Sequence, residues 1–433
     1  MPEQPIRPSR QPLYALLLAN TISQVGNMMT TVAIPWFVLQ TTGSALQVGI
    51  SSFVNTAPLF LAAFLGGSLI DRFGSKRMSI IADIMSGLTV AAIPLLFGLN
   101  VLSYPVLLIL IFLGAILDAP GTTARHSLLP DVIEQARVKP ERANAAYQAV
   151  FRFSILFGPL LGGLLTARYA ATDVLWIDAM TFLVSALLIA RFAPRIMSQA
   201  TDHPPVSMRD NLVGGLRFLW QDVPMMAMLI LVSLVDLVAN ALLGVVVPVY
   251  AEHVFGSAAD FGGMLAAFGG GMLVGTILYG AVGHRFPRYP TLVVGMLGAT
   301  LPSLGLIALP SLPVAVVLLA VMGLFLAPVS VLTANVFQER TPAHLRGRVF
   351  GARFAVQTAS LPIGMLVTGA LIEGAGLVPA LIILTGGYSL VGISVFFIPG
   401  LRKMAVASPL SETHSTPEAA LDADSIIAPV TDN

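Results

Sequence analysis

Residues 46–70, LQVGISSFVNTAPLFLAAFLGGSLI, form a run of 25 residues without a charged side chain. A helix crosses the hydrocarbon of a bilayer in about 20 such residues. Continuous hydrophobicity also excludes the strands of an outer-membrane barrel, which alternate apolar and polar residues. The rest of the chain has the same character: 56% of its 433 residues are hydrophobic, 10% are charged, and the mean hydropathy is +0.85. Soluble domains carry about 25% charged residues. Too few charges are present to cover a water-facing surface, which excludes a water-soluble enzyme. Global disorder, which needs low hydrophobicity, is excluded as well. Roughly 242 hydrophobic residues suffice for about twelve helical spans. The sequence therefore predicts an all-α membrane protein with twelve transmembrane helices and a lipid bilayer as its first partner. There is no cysteine, hence no disulfide framework and no thiolate metal site.

Hydropathy places spans near 14–39, 47–70, 78–99, 104–122, 146–168, 173–193, 224–252, 260–283, 289–309, 313–337, 350–372 and 377–398. The expected organisation is a cytoplasmic N-terminus (1–13), a six-helix half (14–193), a cytoplasmic central loop (194–222), a second six-helix half (223–403) and a disordered acidic cytoplasmic tail (404–433). The opening MPEQPIRPSRQP lacks a small-residue cleavage site, so no removable signal peptide is expected. Lys and Arg set the orientation. Arg7 and Arg10 precede the first span; Arg72, Lys76 and Arg77 join spans two and three; Arg125, Arg137, Lys139 and Arg142 join four and five. Arg285 and Arg288 join eight and nine, Arg340, Arg346 and Arg348 join ten and eleven, and Arg402 and Lys403 follow the last. Of 23 basic residues, Arg168 alone falls on the other face. Both termini are thus expected in the cytoplasm of a cell whose inner membrane holds the chain. In the central loop, Leu212, Leu216, Leu219 and Trp220 recur at helical spacing beside Arg209 and Arg217, as in a short helix lying on the inner membrane surface.

The two halves repeat at a constant offset of 213 residues. Asn27 pairs with Asn240, Pro35 with Pro248, Gly43-Ser44-Ala45 with Gly256-Ser257-Ala258, Gly49 with Gly262, Gly67 with Gly280, and Arg72-Phe73 with Arg285-Phe286. Two six-span halves of equal orientation are parallel repeats about an axis along the membrane normal. Such repeats place a substrate site near the midplane, with alternating access by rocking.

The segment 67-GSLIDRFGSKRM-78 resembles the signature loop of the major facilitator superfamily, G-x-x-x-D-R-x-G-x-[KR]-[KR], with Gly67, Asp71, Arg72, Gly74, Lys76 and Arg77 all matching. A degenerate copy, 280-GAVGHRFPRY-289, has His284 in place of the acid. The segment 158-GPLLGG-163 resembles the antiporter signature of drug exporters through Gly158, Pro159, Gly162 and Gly163, with Ser154 replacing its leading glycine. The segments 117-LDAPGTTARHSLLPDVI-133 and 338-QERTPAHLRGRVFG-351 are similar to the drug:proton antiporter branch that includes macrolide and enterobactin-type siderophore exporters. The resemblance implies the major facilitator fold, export of an amphipathic small molecule driven by proton entry, no cofactor and no nucleic-acid partner, in a chain acting as a monomer. It also implies an ionic latch at the loop 71–77, which holds the outward-facing state.

The residues themselves support a latch. Gly67 and Gly74 permit close backbone approach, and Asp71 is placed to cap the third span. Asp118, read at the inner end of span four, is placed to meet Arg72, Arg77 or Arg125, and Asp83 lies about one turn into span three. The competing reading is topology alone, since basic loops stay inside anyway. In span five, Gly158-Pro159 and Gly162-Gly163 permit close packing and a bend, whether or not they serve antiport.

Ionisable groups inside a bilayer are costly and mark function. Asp236 sits mid-span in helix seven and is expected to be the only acid near the middle of any span. It is the candidate proton carrier, with Asn240 one turn on; a structural hydrogen bond to Asn27 or Asn240 is the competing role. Asn20, Gln24 and Asn27 form a matching stripe at i, i+4, i+7 on helix one, and both stripes, Asn240 included, are expected to face the substrate cavity. Gln148 and Arg152, with Arg353 and Gln357, are candidates for its inner half, unless the arginines merely snorkel. Asp178 and Glu252, near outer ends, are expected to be hydrated. No histidine has a partner at ligand spacing, so no metal is expected. The alternatives are a lipid or lysophospholipid flippase, an uptake symporter of the same fold, and a non-transporting membrane sensor or scaffold. Gly158-Pro159 argues for antiport, while a scaffold has no need of Asp236.

Overall fold

The computed structural model describes residues 9–194 and 208–403; within them, the side chains of 59–68, 71, 208–211, 284 and 403 lie outside the description. Helices joined by short turns make up these residues. In order, α1 is Gln11–Thr42, α2 Ala45–Phe73, α3 Ser75–Gly98, α4 Tyr104–Ala136, α5 Pro140–Arg168 and α6 Ala171–Phe192. A shorter α7, Met208–Gln221, leads to α8 Val223–Phe255, α9 Ala258–Val282, α10 Arg288–Gly305, α11 Leu312–Arg340, α12 Arg346–Ala375 and α13 Leu377–Ser394. Among the described residues, 11 helices are long and apolar enough to cross a membrane. Helix α2, 29 residues long, stands between two of them.

Local chemistry sets the ends. Gly43 and Gly256 take left-handed backbone angles, φ +68° and +64°, that other residues rarely adopt. The serine after each then caps the next helix: Ser44 Oγ accepts from Gln47 N at 3.2 Å and Ser257 Oγ from Asp260 N at 3.3 Å. These are the Gly-Ser-Ala pairs of the repeated sequence. In α8, Pro248 lacks the N–H that would bond the Gly244 carbonyl. The helix widens into π-helical turns at Leu242–Val246 and Ala251–Phe255. The released Gly244 carbonyl accepts from Ser52 Oγ of α2 at 3.4 Å.

Helix α4 departs from the expected end at 122. It continues to Ala136, through Pro120 and Pro130. Gly121, Ala124, Arg125, Leu128, Leu129, Val132, Ile133 and Ala136 are buried along one face, a 3.6-residue periodicity that hydropathy alone does not register. Asp118 therefore lies at mid-helix, not at an inner end.

The chain turns at two ends. Gly43, Tyr169, Gly256 and Gly376 mark the turn end; the loops rich in Lys and Arg mark the basic end. Helices of the first described stretch pack on each other, chiefly α1 on α5 and α6, α3 on α4 and α6, and α2 on α4. Those of the second do likewise, through α9 on α11, α10 on α11 and α12 on α8. Two seams join the stretches, α2 on α12 and α5 on α9. Each is a glycine crossing. A Cβ on Gly262 would stand 2.8 Å from Gly163 Cα, and one on Gly49 would stand 3.0 Å from Gly369 Cα, so backbone meets backbone directly. At the turn end, Glu373 Oε2 accepts from Ser44 Oγ at 3.1 Å and Leu46 N at 3.3 Å. Helix α7 rests on α12, Gly215 meeting the Arg348 backbone, with Phe218 and Leu219 buried and Trp220 exposed.

The crossings make a testable claim about stability. Gly262→Val overpacks the α5–α9 seam, at a cost of about 1–3 kcal/mol. Its neighbour Gly263 has nothing within 4 Å of a Cβ. In thermal unfolding of the detergent-purified protein, Gly262→Val is expected to melt several degrees below wild type and Gly263→Val close to it. Equal melting of the two variants would contradict the seam.

Candidate functional site

Extension of α4 toward the basic end builds a cavity of about 390 Å³ against α1 and α5. Asn20 and Gln24 of α1 line it, with Thr122, Thr123 and His126 of α4 and Tyr147, Gln148 and Phe151 of α5. The His126 ring stands edge-on to Tyr147, centroids 5.5 Å apart. The Asn20 side-chain oxygen and the Tyr147 hydroxyl are buried without a partner. Both are free to meet a hydrogen-bonding ligand, and the aromatic walls suit an apolar body. Arg152, one turn beyond Gln148 on α5, has no hydrogen-bond or ion-pair partner among the described residues.

Asn27, third in the α1 stripe, does not line this cavity. Its Nδ2 donates to Asp118 Oδ2 at 3.1 Å. Asp118 also lies 3.8 Å from Arg125 Nη2. Arg125 is fully buried and binds Asp83 Oδ1 through Nη1 at 2.5 Å. Asp83 accepts further from Ser185 Oγ at 2.7 Å. Asp83, Asp118 and Arg125 thus form one buried network joining α3, α4, α1 and α6.

The basic loop contributes differently from the sequence expectation. Arg72 and Arg77 are exposed, and Arg72 stacks over the Phe73 ring at 5.5 Å instead of reaching Asp118. Lys76 Nζ donates to the Ala193 carbonyl at 2.5 Å, tying the loop to the end of α6. Gly74 makes the tight turn, with φ +78°. Gly67 and the Asp71 side chain lie outside the described residues.

In the second stretch, Gln357 Nε2 donates to Asp236 Oδ2 at 3.2 Å, and Arg353 Nε donates to Gln357 Oε1 at 3.1 Å. The Arg353 guanidinium stacks over Phe337 at 4.6 Å. Gln357 thus bridges the carboxylate of α8 to the cation of α12. Asn240 Nδ2 donates to the Asp236 backbone carbonyl at 2.8 Å and leaves the carboxyl to Gln357.

The glycines of α5 hold three helices together. Gly158 abuts Met28 and Val25 of α1, Gly162 the Met29 backbone, and Gly163 faces Gly262 of α9. A Cβ at Gly162 would stand 2.7 Å from the Met29 carbonyl oxygen. Pro159 lies inside the helix between them.

Two sequence expectations are corrected. Asp236 is not the only acid deep within a helix, because Asp83, Asp118 and Asp178 share that position. Asp178 is not hydrated: it is 0% exposed, and accepts from Thr30 Oγ1 at 2.6 Å and Thr181 Oγ1 at 3.1 Å. A further buried pair, Asp222 with Arg340 at 2.8 Å, fastens the start of α8 to the end of α11. Among the described residues no group of three or more His, Asp or Glu stands ready to hold a metal.

Comparison with known proteins places this geometry. Residues 3–430 match the family described as transmembrane secretion effector. The multidrug efflux pump Tap of Mycolicibacterium fortuitum is 33% identical over 408 residues, covering 92% of this chain and 98% of that protein. The enterobactin exporter EntS of Escherichia coli is 28% identical over 393 residues, covering 89% and 90%. The crystal structure of the nucleoside transporter NupG superposes with a TM-score of 0.73 at 10% identity, covering 89% of this chain and 98% of that one, a likeness of fold alone. The chain therefore belongs to the transmembrane secretion effectors of the major facilitator superfamily, which are multi-pass membrane transporters and not enzymes.

Proposed function

We propose that this protein is a proton-coupled antiporter that exports amphipathic small molecules by alternating access. The observation that carries the reading is the Asp236–Gln357–Arg353 chain, a carboxyl inside a span tied to a cation through a neutral amide. Kinship to two exporters supports outward transport. The α5 glycines support antiport, since they bind α1 and α9 where a rocking motion must pivot. In this reading α2 is the twelfth span, and residues 14–193 and 223–403 are two rocking halves joined by 194–222. The tail from 404 and the first eight residues, which lie outside the described residues, are cytoplasmic, the chain sits in the inner membrane, and one chain suffices for transport. Glycine crossings at both seams, with Gly49 and Gly262 at equivalent positions of the repeat, support this division.

The basic end then faces the cytoplasm, and the cavity beside Asn20 and Gln24 receives substrate from that side. An ionised Asp236 is balanced by Arg353 across Gln357. A proton arriving from outside cancels the charge, loosens this tie and favours the change of access; its release inside restores it. The loop at Asp71 holds the opposite, outward-facing state.

Two variants test these assignments. Asp71→Asn is expected to impair transport strongly with near-normal purified yield, and Asp71→Glu to retain more activity. A fully active Asp71→Asn would remove the gating role. Asp236→Asn imitates the protonated carboxyl permanently. In proteoliposomes, gradient-driven uphill efflux should collapse to the level of an uncoupled control. Downhill exchange should partly survive, because it needs no proton cycling. Undiminished gradient-driven efflux by this variant would overturn the assignment.

A further inference from the structure

The buried charges of the first described stretch do not balance. Among the described residues of this stretch, two fully buried acids, Asp83 and Asp178, and the half-buried Asp118 are set against one buried cation, Arg125, which pairs with Asp83 and Asp118 alone. Asp83 is matched by Arg125 and by the Ser185 hydroxyl. Asp118 stands further from the same guanidinium, and its side chain keeps 24% of its surface open. It lies one turn before cavity-lining Thr122. Asp178, fully buried, has hydroxyl partners only.

Among the described residues, nothing charged on the elements packed against α6 is paired with it, and Arg77 of α3, Glu141 and Arg142 of α5 and Arg191 of α6 are exposed. Helix α1 carries no charged residue. On α3, Asp83 is already engaged by Arg125, and Lys76 reaches the Ala193 carbonyl. On α5, Arg168 stacks over Tyr169 at the turn end, and Arg152 makes no ion pair. Asp173 of α6 itself accepts from the Ala170 N–H, and Asp118 on α4 adds only a like charge. Burying an isolated carboxylate costs so much that such a group is neutralised instead.

The surroundings of Asp178 suit a change of state. A hydroxyl both donates and accepts. Thr30 Oγ1, at 2.6 Å, donates to an ionised carboxyl and accepts from a protonated one with the same geometry. A guanidinium in its place would serve only the ionised form. Gly26 leaves the room, since a Cβ there would overlap Asp178 and Thr181. One turn before Asn27 on α1, Ser23 is fully buried with an unpartnered hydroxyl, so a further polar contact is available on that face.

We propose that Asp178 is a second proton-carrying carboxyl, separate from Asp236. Proton uptake forms an O–H on its carboxyl; release returns the proton to water when the packing of α1 on α6 opens. Its place in transport rests on the antiport reading, but its chemistry does not.

Infrared difference spectroscopy of the purified full-length protein in lipid nanodiscs, recorded over a pH titration, tests this through the protonated-carboxyl C=O band. The expected result is a band present at neutral pH, lost on alkalinisation and missing from Asp178→Asn. Asp236→Asn should lose a different band. Thr30→Val, which keeps the acid and spares the fold, should shift the Asp178 band in frequency. An Asp178→Asn spectrum identical to wild type, a band that ignores pH, or a Thr30→Val variant with no shifted band would overturn the proposal. Gradient-driven ethidium efflux by wild-type proteoliposomes tests antiport separately. Its absence beside a pH-responsive Asp178 band would refute antiport and leave the proton site standing.

Discussion

A single guanidinium organises the first half of this transporter. Arg125 is fully buried and holds Asp83 of α3 directly. Through that carboxylate it reaches Ser185 of α6, and through Asp118 and Asn27 it reaches α1. Four helices thus converge on one cation. Removing one partner of such a pair costs about 3–5 kcal/mol, because the other is left charged and unpaired. This network fixes the register of α1, and the rest of the site follows from that register. Asn20 and Gln24 fall on the cavity, Asn27 on the acids, and Met28 and Met29 on the glycines of α5.

The two seams have the opposite character. At the Gly163–Gly262 and Gly49–Gly369 crossings backbone meets backbone, and Glu373 bonds across the α2–α12 seam only at its turn end. In hydrocarbon, where apolar burial drives no association between helices, close packing of small residues supplies the attraction. Such a contact has little directional preference and tolerates rotation. The proposed rocking motion needs rigid bodies and compliant joints. Buried hydrogen-bonded networks supply the former and glycine crossings the latter. Helix α7, seated on α12 and followed by the buried Asp222–Arg340 pair, belongs with the second body.

Much of this was legible in the sequence because hydrocarbon imposes so simple a rule on helices. Apolar runs located most ends of the 11 long apolar helices to within a few residues, and Gly43-Ser44 with Gly256-Ser257 marked two helix starts that cap alike. The misplaced end of α4 has a clear cause. Beyond Pro120 its buried face alternates with exposed polar residues, so average hydropathy falls while helical periodicity persists. The 3.6-residue periodicity of 121–136 carries the helix on and puts Asp118 at its middle. Gln148, Asn20 and Gln24 were visible as polar residues out of place, and the structure gathers them at one cavity. Their ring-bearing neighbours His126 and Tyr147 carried no such signal, since they lie near the assumed ends of spans. The burial of Asp178 is not legible from its position along the span, because nearness to a helix end does not set exposure. Thr30 and Thr181, which bury it, are ordinary residues until the packing of α1 on α6 brings them together.

Asp178 and Asp236 differ in a way that bears on energetics. Asp236 is linked to a cation, so each proton it binds disturbs a charge balance that Gln357 transmits to α12. Asp178 has only hydroxyls, so its proton changes the charge of the first half while leaving its hydrogen bonds in place. The former suits a trigger of movement; the latter suits a passenger. On the proposed scheme, two protons entering against one neutral substrate would move two positive charges inward. Each is driven by the membrane potential, worth about 2.3 kcal/mol per charge per 100 mV. A monovalent cationic substrate would surrender half of that electrical work, and a divalent one all of it. The charge carried by the substrate, no less than its fit to the Asn20 cavity, therefore sets how steep a gradient this exporter can sustain.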